Sequence, residues 1–168
     1  MGLRRQAREL ALHFLYSCDI QDRLLLSAEE AGRAFDAFCQ HFGSPVADEE
    51  AEVDKDRMDA FCRALAGKEA AHPYARTLVS GVCQHLAELD ARIAAHSHNW
   101  RVERMSGVYR NILRIAAYEL LWAKDVPPQV VINEALEIAK CYSIDDSVSF
   151  INGILDGMHC APAQPQDS

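Results

Sequence analysis

The chain lacks any apolar run approaching the roughly 20 residues that a helical membrane span requires. Its first residues, Met1-Gly2-Leu3-Arg4-Arg5-Gln6, contain no apolar signal core, and Gln6 stands where a myristoylation motif wants Ser or Thr. The expectation is a cytoplasmic protein with no membrane association. A glycine-rich phosphate loop, a nucleophile motif and a zinc-type cysteine spacing are missing as well, so no enzymatic activity, cofactor or metal is expected. The six cysteines (Cys18, Cys39, Cys62, Cys83, Cys141 and Cys160) form no C-x-x-C pair and sit singly, mostly among apolar residues at helical spacing. They read as reduced core thiols. Cys39 with His41, Cys83 with His85 and His96 with His98 are i, i+2 pairs, a spacing that sends side chains to different faces of a helix and chelates poorly.

Positive charge is also scarce, with a formal net charge of −8. A general nucleic-acid binder needs the opposite sign, because phosphate affinity comes from displaced counterions. The distribution alters that conclusion. From Asp48 to Asp59 seven acids stand against Lys55 and Arg57, a local net of −5. Elsewhere Arg4, Arg5 and Arg8 come before any acid, and Arg101, Arg104, Arg110, Arg114 and Lys124 outnumber Glu103 and Glu119. Two basic islands therefore survive in an acidic chain.

The periodicity is helical throughout, and no segment demands a strand. Helices are expected at about 3–20, 27–42, 50–66, 74–96, 99–105, 107–123, 128–141 and 146–158. Leu3, Ala7, Leu10, Phe14 and Cys18 form one stripe, and Leu78, Val82, Leu86, Leu89 and Ile93 another. Ser27 followed by Glu30 reads as a capping box, Gly43-Ser44-Pro45 as a break and His72-Pro73 as a helix start. Glu49 to Ala66 reads as an extra or extended helix, and the polar, proline-containing end after Cys160 as a disordered tail.

The densest information lies in Val126 to Met158, VPPQVVINEALEIAKCYSIDDSVSFINGILDGM. Pro127-Pro128 suits a helix start, since the missing amide would be unpaired in a first turn anyway. Ile132, Leu136 and Ala139, flanked by Val131, Ala135 and Ile138, give that helix a core face opposite Asn133, Glu137 and Lys140. Asp145 and Asp146 are candidate caps for a second helix whose stripe is Val148, Ile151, Leu155 and Met158. This run resembles the C-terminal signature of the NusB family of bacterial transcription antitermination factors. Asn133, Glu134, Ala135, Glu137, Ala139, Lys140, Asp146, Ser147, Phe150, Asn152, Gly153, Leu155 and Asp156 match it in register. Arg4 to Ala11 with Leu15-Tyr16 resembles the family's arginine-rich first helix, and Arg110, Leu113, Arg114, Tyr118 and Glu119 match between the two.

The resemblance implies an all-α fold of two small packed helical bundles with about seven to eight helices. Residues 1–97 would form an N-terminal subdomain that includes the acidic, extended segment 43–72. Residues 98–160 would form a C-terminal one, with 161–168 as the disordered tail. It implies RNA contact by Arg4, Arg5 and Arg8, whose guanidinium forks can donate paired hydrogen bonds to phosphate. RNA contact is carried also to Asp146 and Phe150, one turn apart, where a base could stack on the ring and meet the carboxylate. Read without the resemblance, those two are an N-cap and a core ring.

Tyr16 and Tyr109 are candidates for a protein-partner surface, although family members often have an acid at the position of Tyr109. The implied partners are boxA-like single-stranded RNA, the ribosomal protein NusE and an RNA polymerase antitermination complex on ribosomal RNA operons. Arg114 with Glu119, and Asn133 with Glu134, are assigned to internal hydrogen bonds. Two other readings stay open: a free-standing NusB-like RNA-binding module assisting ribosomal RNA methylation in trans, and a purely protein-binding helical adaptor. Oligomeric state is open too, since a homodimer could cover the basic first-helix surface until RNA binds.

Overall fold

The computed structural model describes residues 2–40, 69–98, 101–142 and 147–160. Among them the regular structure is helical, with no strand. The described residues form seven α-helices: α1 (Leu3–Asp19), α2 (Ala28–Gln40), α3 (His72–Gln84), α4 (Leu86–His96), α5 (Gly107–Leu121), α6 (Pro128–Tyr142) and α7 (Ser147–Cys160). Short 3-10 turns occur at Glu69–Ala71 and Val102–Arg104. The expected helix at 50–66, the Gly43-Ser44-Pro45 break, Cys62, Asp145 and Asp146, and the tail 161–168 lie outside the described residues.

The chain divides into two units, Met1–Leu86 and Ala87–Ser168. In the first, α3 packs against both α1 and α2. Ala7, Leu10 and Phe14 of α1 are buried as their stripe requires, and Phe14 meets Phe35 edge to face at 5.6 Å and Phe38 at 5.5 Å. The start of α2 is a reciprocal capping box. The Ser27 amide donates to Glu30 Oε2 at 2.9 Å, and the Glu30 amide donates to Ser27 Oγ at 3.2 Å. These bonds hold the Glu30 carboxyl below its ordinary pKa.

In the second unit α5 packs on α6 and α7, and α6 packs on α7. Val131, Ile132, Ala135, Ile138 and Ala139 are buried on α6, while Asn133, Glu137 and Lys140 are exposed and Leu136 is half-buried. Ile151, Leu155 and Met158 of α7 are buried. Gly157 is a packing position, since a Cβ there would lie 3.0 Å from Cδ2 of His96. Gly153 is not, because nothing stands within 4 Å of the same point.

Three expectations need revision. The single helix expected at 74–96 is two, broken at His85, whose backbone (φ −109°, ψ 18°) leaves the helical region while its amide still donates to the Gly81 carbonyl at 3.1 Å. The division between units falls at that break and not at 97/98, because α4 is tied into the second unit by the Asp90–Arg114 pair and the His96–Gly157 contact. The thiols also differ from the expected core placement. Of those described only Cys83 is buried, Cys18 and Cys39 are half-buried, and Cys141 and Cys160 are exposed. Burial raises the pKa of Cys18, and burial with Asp36 nearby pushes Cys39 up to about 11, so neither is an activated nucleophile.

Candidate nucleic-acid interface

Helix α1 starts against the usual electrostatic preference. Its N-cap, Gly2, makes no side-chain cap bond and its first turn holds no acid. A helix N-terminus carries positive partial charge from its unpaired amides, so acids belong there and cations are opposed. This chain puts Arg4 and Arg5 in that turn. A helix end of this kind is suited to an anionic ligand.

The three arginines have different surroundings. Arg4 is exposed, and its Cζ lies 4.9 Å from the centroid of the Tyr74 ring on the first turn of α3. Arg5 is half-buried. Arg8 is enclosed at 3% exposure, one of ten consecutive buried residues from Gln6 to Leu15. Arg4 and Arg8, one turn apart, therefore do not form a continuous outward row. Beside Arg8, Glu9 and His13 are buried as well, and desolvation pushes the His13 pKa down to about 4, which leaves its ring neutral near pH 7.

Tyr16 is half-buried on α1, Tyr109 half-buried on the first turn of α5 and Phe150 half-buried on the first turn of α7. Arg4, Arg5, Arg8 and Tyr16 belong to the first unit, and Tyr109 and Phe150 to the second. Asp146 lies outside the described residues, so its pairing with Phe150 is not visible.

Two of the five basic residues of the second island, Arg110 and Arg114, are turned inward. Arg114 donates from Nε to Asp90 Oδ1 at 2.7 Å, from Nη2 to Asp90 Oδ2 at 2.8 Å and from Nη1 to Asn111 Oδ1 at 3.1 Å. Asn111 in turn donates to the Gly107 carbonyl at 2.7 Å. Arg110 Nη1 points at the carbonyls of Val102, Glu103 and Met105, 3.2–3.4 Å away, and braces the 3-10 turn. Arg101, Arg104 and Lys124 remain exposed. Sequence reasoning assigned Arg114 to internal bonding but missed Asp90, and it missed Tyr74 altogether. The acid is 24 residues from Arg114, and the ring meets Arg4 only because α1 packs on α3.

The described residues define a small helical protein of two units, with an arginine-bearing first helix and an internally braced fifth. The model of the NusB family matches residues 5–159, and the chain belongs to that family. A transcription antitermination protein NusB of Desulfosudis oleivorans is 42% identical over 93% of this chain and 84% of its own length. That of Myxococcus xanthus is 37% identical over 98% of this chain and 100% of its own. The solved structure of T. maritima NusB superposes with a TM-score of 0.65 at 28% identity, covering 96% of this chain and 93% of that one. A further chain, from the crystal structure of antitermination factors NusB and NusE in complex with double-stranded RNA, shares the fold with a TM-score of 0.66 at 24% identity. It covers 95% of this chain and 97% of its own.

Proposed function

We propose that this chain is a transcription antitermination factor that binds boxA-like single-stranded RNA together with the ribosomal protein NusE, in an RNA polymerase complex on ribosomal RNA operons. The observation that carries the reading is the first turn of α1, where exposed Arg4 and half-buried Arg5 stand at the positive end of a helix whose own first turn contains no acid. A helix N-terminus with basic side chains favours an anionic group such as phosphate. Family membership over residues 5–159 supports the same assignment.

In this reading Arg4 and Arg5 hold the RNA backbone and Phe150 offers a ring for an unstacked base, with Asp146 accepting from its edge. Tyr16 and Tyr109 contribute to the NusE-facing surface, where a large ring with a polar tip suits a protein contact. Arg8, which the resemblance assigns to RNA contact, is enclosed at 3% exposure and is given no phosphate in this reading.

The test is binding of a boxA-like single-stranded RNA, with NusE present, to wild type and to an Arg4→Ala/Arg5→Ala variant across a salt series. Arg8 is left intact because its burial makes substitution a folding change. Removing one phosphate-binding cation from a single-strand complex lowers the log–log salt slope by about 0.7, so the variant should bind at least about tenfold more weakly with a slope reduced by about 1.4. Equal affinity and slope in the two proteins would sink the assignment. Equal affinity for NusE without RNA, insensitive to salt, would favour the protein-only adaptor.

A further inference from the structure

Tyr74 is remote from α1 in sequence, yet its ring stands beneath the guanidinium of Arg4. The 4.9 Å between Arg4 Cζ and the ring centroid is well inside the roughly 6 Å over which a ring quadrupole attracts a cation. The ring sits on a defined platform. It lies in the first turn of α3, just after Pro73, and the Thr77 hydroxyl donates back to the Pro73 carbonyl at 3.1 Å. His72, which opens α3, meets Phe35 of the first unit's core edge-on at 6.5 Å.

We propose that Tyr74 is a positioning residue for RNA binding, holding the Arg4 guanidinium over its ring so that the fork is oriented before a phosphate arrives. This inference rests on the reading of Arg4 as an RNA contact and names the residue that orients it. The chemistry of the two interactions is compatible. Attraction to the ring uses the face of the guanidinium, whereas phosphate is bound by N–H groups in its plane. A long, flexible arginine side chain loses rotamer freedom when it grips a phosphate, and a ring that already restricts it removes part of that loss from the binding step. The ring is half-buried, so it borders the surface without being a core anchor.

The experiment is a double-mutant cycle on the full chain, read as affinity for a boxA-like single-stranded RNA with NusE present and as salt slope. Thermal melting confirms that each variant is folded. Tyr74→Phe keeps the ring face and should bind within about twofold of wild type. Tyr74→Leu keeps apolar bulk without the quadrupole and should lose about two- to fivefold, the size expected for an exposed cation–ring contact, with an unchanged salt slope. Arg4→Ala should lose affinity and about 0.7 of slope. Adding Tyr74→Leu to Arg4→Ala should then cost nothing further. If Arg4→Ala weakens binding and Tyr74→Leu does not, or if Tyr74→Leu costs as much without Arg4 as with it, the positioning role is overturned while the RNA reading stands. If Arg4→Ala leaves RNA binding unchanged, both fall.

Discussion

Among the described residues, helices α1 and α5 bury the most residues of their respective units, and both carry arginine, but they use it in opposite ways. On α5 the arginines turn inward. Arg114, with a side chain 6% exposed, is bound through two nitrogens to Asp90, and Arg110 braces three backbone carbonyls. On α1 the buried stretch begins only at Gln6, so Arg4 and Arg5 precede it and Arg8 falls inside. A count of basic residues therefore overstates the field of the second island. A guanidinium paired with a carboxylate, as Arg114 is with Asp90, contributes little net charge at a distance.

The largest effect should come from breaking the α5 network. Arg114→Ala leaves Asp90 without its bidentate partner and removes the donor to Asn111 Oδ1. Removing one partner of a buried pair typically costs about 3–5 kcal/mol, and the 31% exposure of Asp90 places this case near 3 kcal/mol. Arg114→Lys restores the charge but not the fork and should recover only part of the loss. Urea unfolding measures both. RNA affinity of the folded Arg114→Ala protein should stay at the wild-type value, and a parallel loss of affinity would mean that α5 contributes to binding directly.

A second effect separates the helices by protonation. His13 on α1 is neutral because burial pushes its pKa down to about 4 from the ordinary 6.5. Between those two values the unfolded chain binds a proton that the folded chain refuses, so acidification favours unfolding. The stability held in the neutral ring is present above pH 6.5 and is lost as pH falls from 6.5 to about 4. Its full size is about 3 kcal/mol for a shift of this extent. His13→Gln should flatten the stability profile across that window relative to wild type. Equal acid sensitivity of both proteins, measured by denaturant midpoints, would show that His13 titrates normally in the fold.

The same contrast explains what could be read in advance. Amphipathic stripes placed α1, α2, α5, α6 and α7 within a few residues, because burying one face of a helix dominates its energetics. The Ser27–Glu30 box was equally legible, being a local arrangement with a fixed spacing. The break at His85 was not. Leu78, Val82, Leu86, Leu89 and Ile93 continue one stripe through it, and neither glycine nor proline marks the place. At the candidate site the motif singled out Arg4, Arg5 and Arg8 together, and helical spacing made Arg8 equivalent to Arg4. Only packing reveals that one is enclosed and the other rests on Tyr74. Exposed Cys141 and Cys160 mislead for a related reason, since apolar neighbours in sequence need not be neighbours across a helix.

The smallest effect on stability is the sharpest test of the contrast in charge. Arg101 and Arg104 are exposed at the 3-10 turn of the second unit, and with Lys124 they are the outward part of the second basic island. Arg101→Ala/Arg104→Ala should change stability by no more than about 0.5 kcal/mol, as is usual for surface positions outside a buried network. Its RNA affinity should stay within about twofold of wild type and its salt slope should be unchanged, while Arg4→Ala/Arg5→Ala loses about 1.4 of slope. The two variants remove the same formal charge, so net charge cannot explain a difference between them. Only placement can. Equal losses would mean that RNA responds to the overall field of the chain, and a larger loss from Arg101 and Arg104 would move the phosphate contacts from the start of α1 to the turn before α5.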